Sequence, residues 1–142
     1  MTIRLLKRDS TRIVEAIKKA EMKTSGEIKV HIQKTVEGEI MKEAVAKFNE
    51  LGMTATAERN GVLIFIARDS RQLTIIGDEG IHGKVGSDFW NDAVAAMTQR
   101  FKNGDFIEGI EAGVAKVGVA LSKHFPRKEG DINELDDSVS VG

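Results

Sequence analysis

A chain of 142 residues with 41% apolar and 30% charged residues has the size and composition of one soluble globular domain with its own hydrophobic core. The formal net charge of -1 gives no basic surplus that would favour nucleic-acid binding, and the absence of cysteine excludes disulfides, thiolate zinc sites and cysteine nucleophiles. The N-terminus lacks the apolar core of a secretory signal, and no window approaches the roughly eighteen apolar residues of a membrane span. We therefore expect a cytoplasmic protein with no transmembrane helix.

The first part of the chain is predicted to form a helix, a strand and a second helix. Ile13 and Ile17 lie one helical turn apart after a possible cap at Asp9 or Ser10, and Gly26 ends this first helical pattern. A second helical stripe ends at Gly52, and it consists of Ile40, Ala44, Phe48 and Leu51.

Residues 27–33 alternate between apolar and polar side chains, which predicts a strand with one buried face. The polar face of this strand would carry Lys29, His31 and Gln33. Neither His31 nor His124 is predicted to be a metal ligand, because one lies on a polar strand face and the other ends a helix. His82 lies among glycines and is the more serious candidate, with a solvated loop histidine as the alternative.

The second part of the chain predicts a hairpin followed by two helices. The apolar run 61–67 is typical of a strand buried on both faces, and residues 72–77 would be its hairpin partner after a short turn. Helical stripes follow over 87–101 and from Asp105 to Pro126. The order of elements predicts an α/β fold, an αβα sandwich in which a small mixed sheet of about four strands has helices on both faces.

This fold would occupy residues 1–126, and residues 127–142 would form an acidic tail that lies on the surface or frays. The last predicted helix contains Gly109, Gly113 and Gly118. Each glycine in a helix interior costs about 1 kcal/mol relative to alanine. We therefore expect another element to approach this helix closely.

A stretch at residues 77–90, GDEGIHGKVGSDFW, has a glycine at every third position up to Gly86 and is predicted to be an irregular loop. It does not match the dinucleotide, phosphate-loop or EF-hand motifs. Its carboxylates are Asp78, Glu79 and Asp88, and Asp105 and Glu108 flank the next helix start. Such oxygens are the ligands that calcium and magnesium require, but capping aspartates in a structural domain without a site are an alternative that the residues leave open.

Five motifs occur in order along the chain: KTSGEIKV, LGM with ERNGVLIFIA, IIGDEGI, FKNGDFIEGI and HFPRKEGDINELDD. Together they resemble the TPM domain family, whose members include thylakoid proteins of photosystem II repair, and the resemblance covers residues 10–137. It implies an αβα sandwich with a pair of crossing loops that bind a divalent metal, usually calcium. Because the chain shows neither signal peptide nor membrane helix, it looks like a stand-alone TPM domain.

On this sequence the resemblance places the crossing loops at residues 77–88 and 103–108. The implied metal ligands are Asp78, Glu79, Asp88 and Asp105, with Glu108 and loop carbonyls as further candidates. The resemblance implies a calcium-binding domain, with magnesium as the alternative ion, whose loops are ordered by metal. It could act as a regulatory or interaction module with an unknown protein partner. Some plant relatives are described as acid phosphatases, so a weak metal-dependent phosphatase is the rival function, although cysteine, R-H-G and D-x-D nucleophile motifs are missing.

Overall fold

A four-stranded mixed sheet in the order β3-β2-β1-β4 forms the centre of the computed structural model, which describes residues 6–127 and 138–142. The strands are β1 (Glu27–Gln33), β2 (Gly61–Ala67), β3 (Gln72–Gly77) and β4 (Ser140–Val141). Strand β1 runs parallel to β2 and β4, and β2 and β3 form the predicted antiparallel hairpin.

Helices cover both faces of this sheet, which confirms the predicted αβα architecture. They are α1 (Lys7–Glu21), α2 (Ile40–Glu50), α3 (Glu79–Val85), α4 (Ser87–Lys102) and α5 (Phe106–His124). Helices α1, α3, α4 and α5 form the larger core with one face of the sheet, and α2 packs on the other face. Among residues 6–127 and 138–142, no helix combines the length and apolar character that a membrane crossing needs.

Strand β2 is buried on both faces, as its uninterrupted apolar sequence predicts. Val62, Ile64 and Ile66 face the larger core, on the side of α1, α4 and α5. Leu63 and Phe65 face α2. The central strand therefore belongs to both cores and joins the two helical layers.

The prediction of an exposed polar face on β1 is wrong. Lys29 and His31 are both buried, and the His31 ring lies 5.1 Å from the Phe65 ring beneath α2. A parallel neighbour on each side and helices above and below remove this strand from water, so polar side chains are buried there together with apolar ones.

The end of the chain adds a short strand to the sheet. Residues 128–137 of the predicted tail lie outside the described residues, and Ser140 and Val141 pair with His31 and Ile32 as strand β4. The amide of Gly142 continues this pairing by donating to the carbonyl oxygen of Ile32 at 3.0 Å. An edge strand has backbone N–H and C=O groups without a neighbouring strand, and residues 140–142 form hydrogen bonds with some of these groups of β1.

The glycines of α5 lie where neighbouring helices approach, which confirms the predicted close packing. Gly109 faces the Phe101 ring, Gly113 faces the Met97 side chain, and a Cβ at Gly118 would lie 2.8 Å from Cβ of Ala20. Glycine at these positions lets α5 approach α4 and α1 more closely than alanine would allow.

The glycine-rich stretch is not an irregular loop, because α3 forms within it. Asp78 precedes this helix, and its Oδ1 accepts a hydrogen bond from the amide of Glu79 at 2.8 Å. Gly80 and Gly83 lie inside the helix, and Gly86 ends it with a φ of 76°. A Cβ at Gly80 would lie 2.6 Å from the Arg59 carbonyl oxygen, so glycine here permits a backbone contact and not an irregular chain path.

Candidate functional site

Asp78 is a buried carboxylate that forms an ion pair with the side chain of Arg59. Its Oδ2 accepts from Nε of Arg59 at 2.7 Å, and its Oδ1 accepts from Nη2 of the same guanidinium at 2.9 Å. This bidentate pair is the strongest geometry between a carboxylate and an arginine. The side-chain hydrogen bond from Arg59 to Asp78 raises the pKa of the guanidinium above its usual value.

The backbone around this ion pair fixes the position of Arg59. Its φ of 52° lies in the left-handed region, and its carbonyl oxygen accepts from the amide of Gly80 at 2.9 Å. Glu79 points outward and reaches Nη1 of Arg59 at 3.3 Å. The carboxylates of Asp78 and Glu79 therefore do lie close together, but the cation between them is the Arg59 guanidinium.

The other three predicted ligands lie elsewhere. Asp88 is in the first turn of α4, whereas Asp105 follows the end of that helix. Since α4 has 16 residues, its ends are separated by about 24 Å. Glu108 lies 3.8 Å from Nη2 of Arg12 on α1.

The structure therefore does not bring the five predicted carboxylates into one site. Over residues 6–127 and 138–142, no group of three or more His, Cys, Asp or Glu side chains has the arrangement needed to hold a metal ion. A sequence can show that acids flank two helix starts, but the direction and length of α4 decide how far apart they lie.

Two other loops do cross in the structure, at the end of the sheet where β1 begins. Residues 22–27 meet residues 125–127, and Thr24 pairs with Pro126 in an antiparallel bridge. The amide of Ser25 donates to the Phe125 carbonyl oxygen at 3.0 Å, and the amide of Arg127 donates to the Lys23 carbonyl oxygen at 3.2 Å. This pair of segments, called the loop crossing below, was not predicted, although both sequences lie within motifs of the resemblance.

Acidic side chains are buried beside the loop crossing. Glu27, the first residue of β1, is 2% exposed, and Glu21 is also buried. The Glu21 carboxylate accepts from the amide of Ile28 at 2.7 Å, and Nη1 of Arg127 donates to the Glu21 carbonyl oxygen at 3.1 Å. Nothing in the local pattern distinguishes Glu27 from a solvent-facing strand residue, so sequence reasoning missed it.

A buried amide, that of Asn60, lies at the same end of the sheet. Its carbonyl oxygen accepts from the amide of Glu27 at 3.4 Å, and its Nδ2 donates to Oγ of Ser25 at 3.2 Å. Asn60 is 1% exposed, yet its Oδ1 has no hydrogen-bond partner among the described residues. Such an atom is costly to bury, and it adds a hard oxygen near the start of β1.

Comparison with known proteins gives the family of the chain. The family model described as the TPM domain matches residues 4–120. The chain belongs to the TPM domain family. A comparison with curated proteins gives no significant match.

Solved structures agree with this assignment. This TPM domain is similar to the BA42 protein from the psychrophilic bacterium Bizionia argentinensis, with 41% identity, a TM-score of 0.92, and coverage of 99% of this chain and 97% of that one. The N-terminal domain of cg2496 from Corynebacterium glutamicum has 17% identity and a TM-score of 0.67, over 92% of this chain and 82% of that one. An N-terminal domain from P. gingivalis, at 17% identity and a TM-score of 0.69 over 88% and 83% of the two chains, likewise supports the fold.

At the other end of β1, this TPM domain contains a hydrogen-bonded chain of side chains that begins at the buried His31. His31 lies with Nδ1 2.9 Å from Oγ of Ser140 and Nε2 2.8 Å from Oε1 of Gln33. Nε2 of Gln33 in turn donates to the Thr35 carbonyl oxygen and to Oε1 of Glu43. Because Oε1 of Gln33 can only accept, Nε2 of His31 donates to it. Nδ1 of His31 can accept from the Ser140 hydroxyl or, when it is protonated, donate to the Ser140 oxygen.

We expect His31 to make folding stability depend on pH. Burial lowers the pKa of its imidazole below the ordinary value of 6.5, with Lys47 acting in the same direction. The unfolded chain then binds a proton more readily than the folded one, so this contribution is present above about pH 6.5 and is lost as the pH falls through the folded pKa. Urea unfolding at several values between pH 7.5 and 5 should show a steeper loss of stability for the wild type than for His31→Gln. Parallel pH profiles for the two proteins would contradict this assignment.

Proposed function

We propose that this TPM domain binds a divalent cation, calcium in preference to magnesium, at the loop crossing. The observation that supports the proposal is Glu27, a carboxylate with 2% exposure at the point where residues 22–27 meet residues 125–127. Carboxylate oxygens are the preferred ligands of calcium, and buried ones are held in place by the surrounding structure. A divalent cation at this point could be bound by Glu27 together with amide and backbone oxygens.

Calcium requires six to eight oxygen ligands, so Glu27 alone cannot form the site. Asn60 contributes a second hard oxygen at this end of the sheet, since its Oδ1 has no partner among the described residues. The chain that follows Arg127 is rich in carboxylates by sequence; these are Glu129, Asp131, Glu134, Asp136 and Asp137. They lie outside the described residues, and only their sequence makes them candidates for further ligands.

The donor chemistry at the loop crossing fits calcium better than magnesium. Calcium accepts carboxylate, amide and backbone oxygens in a flexible geometry, whereas magnesium demands an octahedral site and retains several waters. The proposal also moves the site away from Asp78, whose carboxylate is already bound by Arg59, and away from Asp88 and Asp105. A bound cation would hold the two crossing segments together. The domain could then act as a regulatory or interaction module whose binding to a partner depends on metal.

Calcium is expected to raise the melting temperature of the wild type relative to a chelator. A ligand that binds only the folded state stabilises it by about 2.7 kcal/mol at a hundredfold excess over its Kd. Glu27→Gln should lose most of this response because it removes a buried ligand charge. Glu79→Gln is the matched control, since the same change is made at a carboxylate that is 73% exposed. Calorimetric titration with calcium measures the same difference directly.

Several outcomes would change the proposal. Identical melting of the wild type in calcium and in chelator would show that the domain has no such site. A response lost in Asp78→Asn but kept in Glu27→Gln would return the site to the glycine-rich stretch. Turnover of p-nitrophenyl phosphate above about 1 per second that disappears in Glu27→Gln would favour the metal-dependent phosphatase instead.

A further inference from the structure

An open groove of about 610 Å³ lies between α3, the start of α4 and the C-terminal half of α5. Its apolar lining includes Val85, Phe89 and Val119. Three lysines also line it, and these residues, Lys84, Lys116 and Lys123, are called the lysine rim. The groove therefore combines apolar surface with positive charge.

The sequence of α5 places these groups on one helical face. Lys116, Val119 and Lys123 follow one another at spacings of three and four residues, so they form one stripe. Val119 is 70% exposed and lies on the solvent-facing side of α5, as Lys116 does. Lys84 completes the rim from the last turn of α3.

The described residues that line the groove supply positive charge and no negative charge. No aspartate or glutamate is among the described residues that line it. Within the described part of the chain, the three lysines also form no salt bridge. An occupant that brings both carboxylates and an apolar group would complement the groove.

We propose that this groove binds a short acidic segment of a partner protein, with one apolar side chain seated against Val119 and Phe89 and carboxylates facing the lysine rim. A small anion without an apolar part would leave Val119 exposed, and a flat membrane surface would not enter the concave space between the helices. The volume lies within the range of about 300–1,000 Å³ that is typical of ligand sites. The proposal does not rest on cation binding, because the residues that line the groove are not those of the loop crossing.

A displayed library of random peptides, selected on the whole domain, tests this proposal. We expect the selected peptides to carry acidic residues around one leucine or aromatic residue. Their affinity should fall about tenfold or more in the variant Lys116→Glu/Lys123→Glu, since two attractive charges become repulsive. The matched control Lys18→Glu/Lys19→Glu changes the net charge equally on α1 and should bind as the wild type does. Val119→Thr, which keeps the shape but adds a hydroxyl, should also weaken binding.

Circular dichroism and melting temperature establish that each variant is folded before its binding is compared. The proposal fails if the selected peptides show no enrichment in acidic residues, or if they bind the Lys116→Glu/Lys123→Glu variant as tightly as the wild type. It also fails if vesicles containing phosphatidylglycerol bind through these lysines while the selected peptides do not compete. In that case the groove face contacts anionic lipid and not protein.

Discussion

Replacing Ile64 by aspartate is expected to destabilise the domain by about 4 kcal/mol or more. Ile64 is fully buried at the centre of β2, between Val30 of β1 and Ile75 of β3. The residues around it are apolar, so the new carboxylate would be buried without a partner, or the sheet would have to open to admit water. Because a domain of this size has a total stability of about 5–15 kcal/mol, such a loss would unfold a large fraction of the protein or all of it.

Urea unfolding followed by circular dichroism measures this effect. Ile64→Val is the matched control, because it removes one methylene group and should cost only about 0.5–1.5 kcal/mol. Near-native stability of Ile64→Asp would mean that β2 is not the centre of the sheet, and the packing of both helical layers would have to be reconsidered.

Gly80→Ala is expected to destabilise the domain although it replaces glycine in a helix. The added methyl group would meet the backbone carbonyl oxygens of Glu58 and Arg59, the latter at 2.6 Å. Backbone atoms cannot move aside as a flexible side chain can, so α3 would shift away from residues 58–59. That shift would also strain the hydrogen bond from Gly80 to Arg59 and the ion pair of Arg59 with Asp78. Overpacking of this kind costs about 1–3 kcal/mol.

Gly83→Ala provides a control within the same helix. A Cβ at Gly83 would have no heavy atom of the described residues within 4 Å, and the position is helical. Alanine should therefore stabilise the domain by up to about 1 kcal/mol through its helix propensity. The two substitutions are chemically identical, so their opposite signs isolate the backbone contact at Gly80. Similar changes in stability for both variants would show that α3 does not pack against residues 58–59 as described.

Most elements of the fold could be predicted because their signals are local. The uninterrupted run 61–67 indicated a strand buried on both faces, and β2 is such a strand. Gly113 indicated a close approach to α5, and the Met97 side chain occupies that place. Helix α3 was not predicted, because its glycines weaken a helix in isolation. In the folded domain α3 packs against residues 58–59, and glycine at position 80 permits that contact.

By itself the sequence determined the type and order of the main elements, the αβα class and the membership of the TPM domain family, because periodicity and motifs are properties of neighbouring residues. Only the tertiary structure decided which polar groups lie together. Asp88 and Asp105 are separated by the length of α4, and Asp78 is bound by an arginine that precedes it by 19 residues. Glu27 and His31 are ordinary strand residues by pattern, yet both are buried. Their burial depends on α2, on the parallel neighbours of β1 and on the loop crossing, which are contacts between distant parts of the chain that no local pattern encodes.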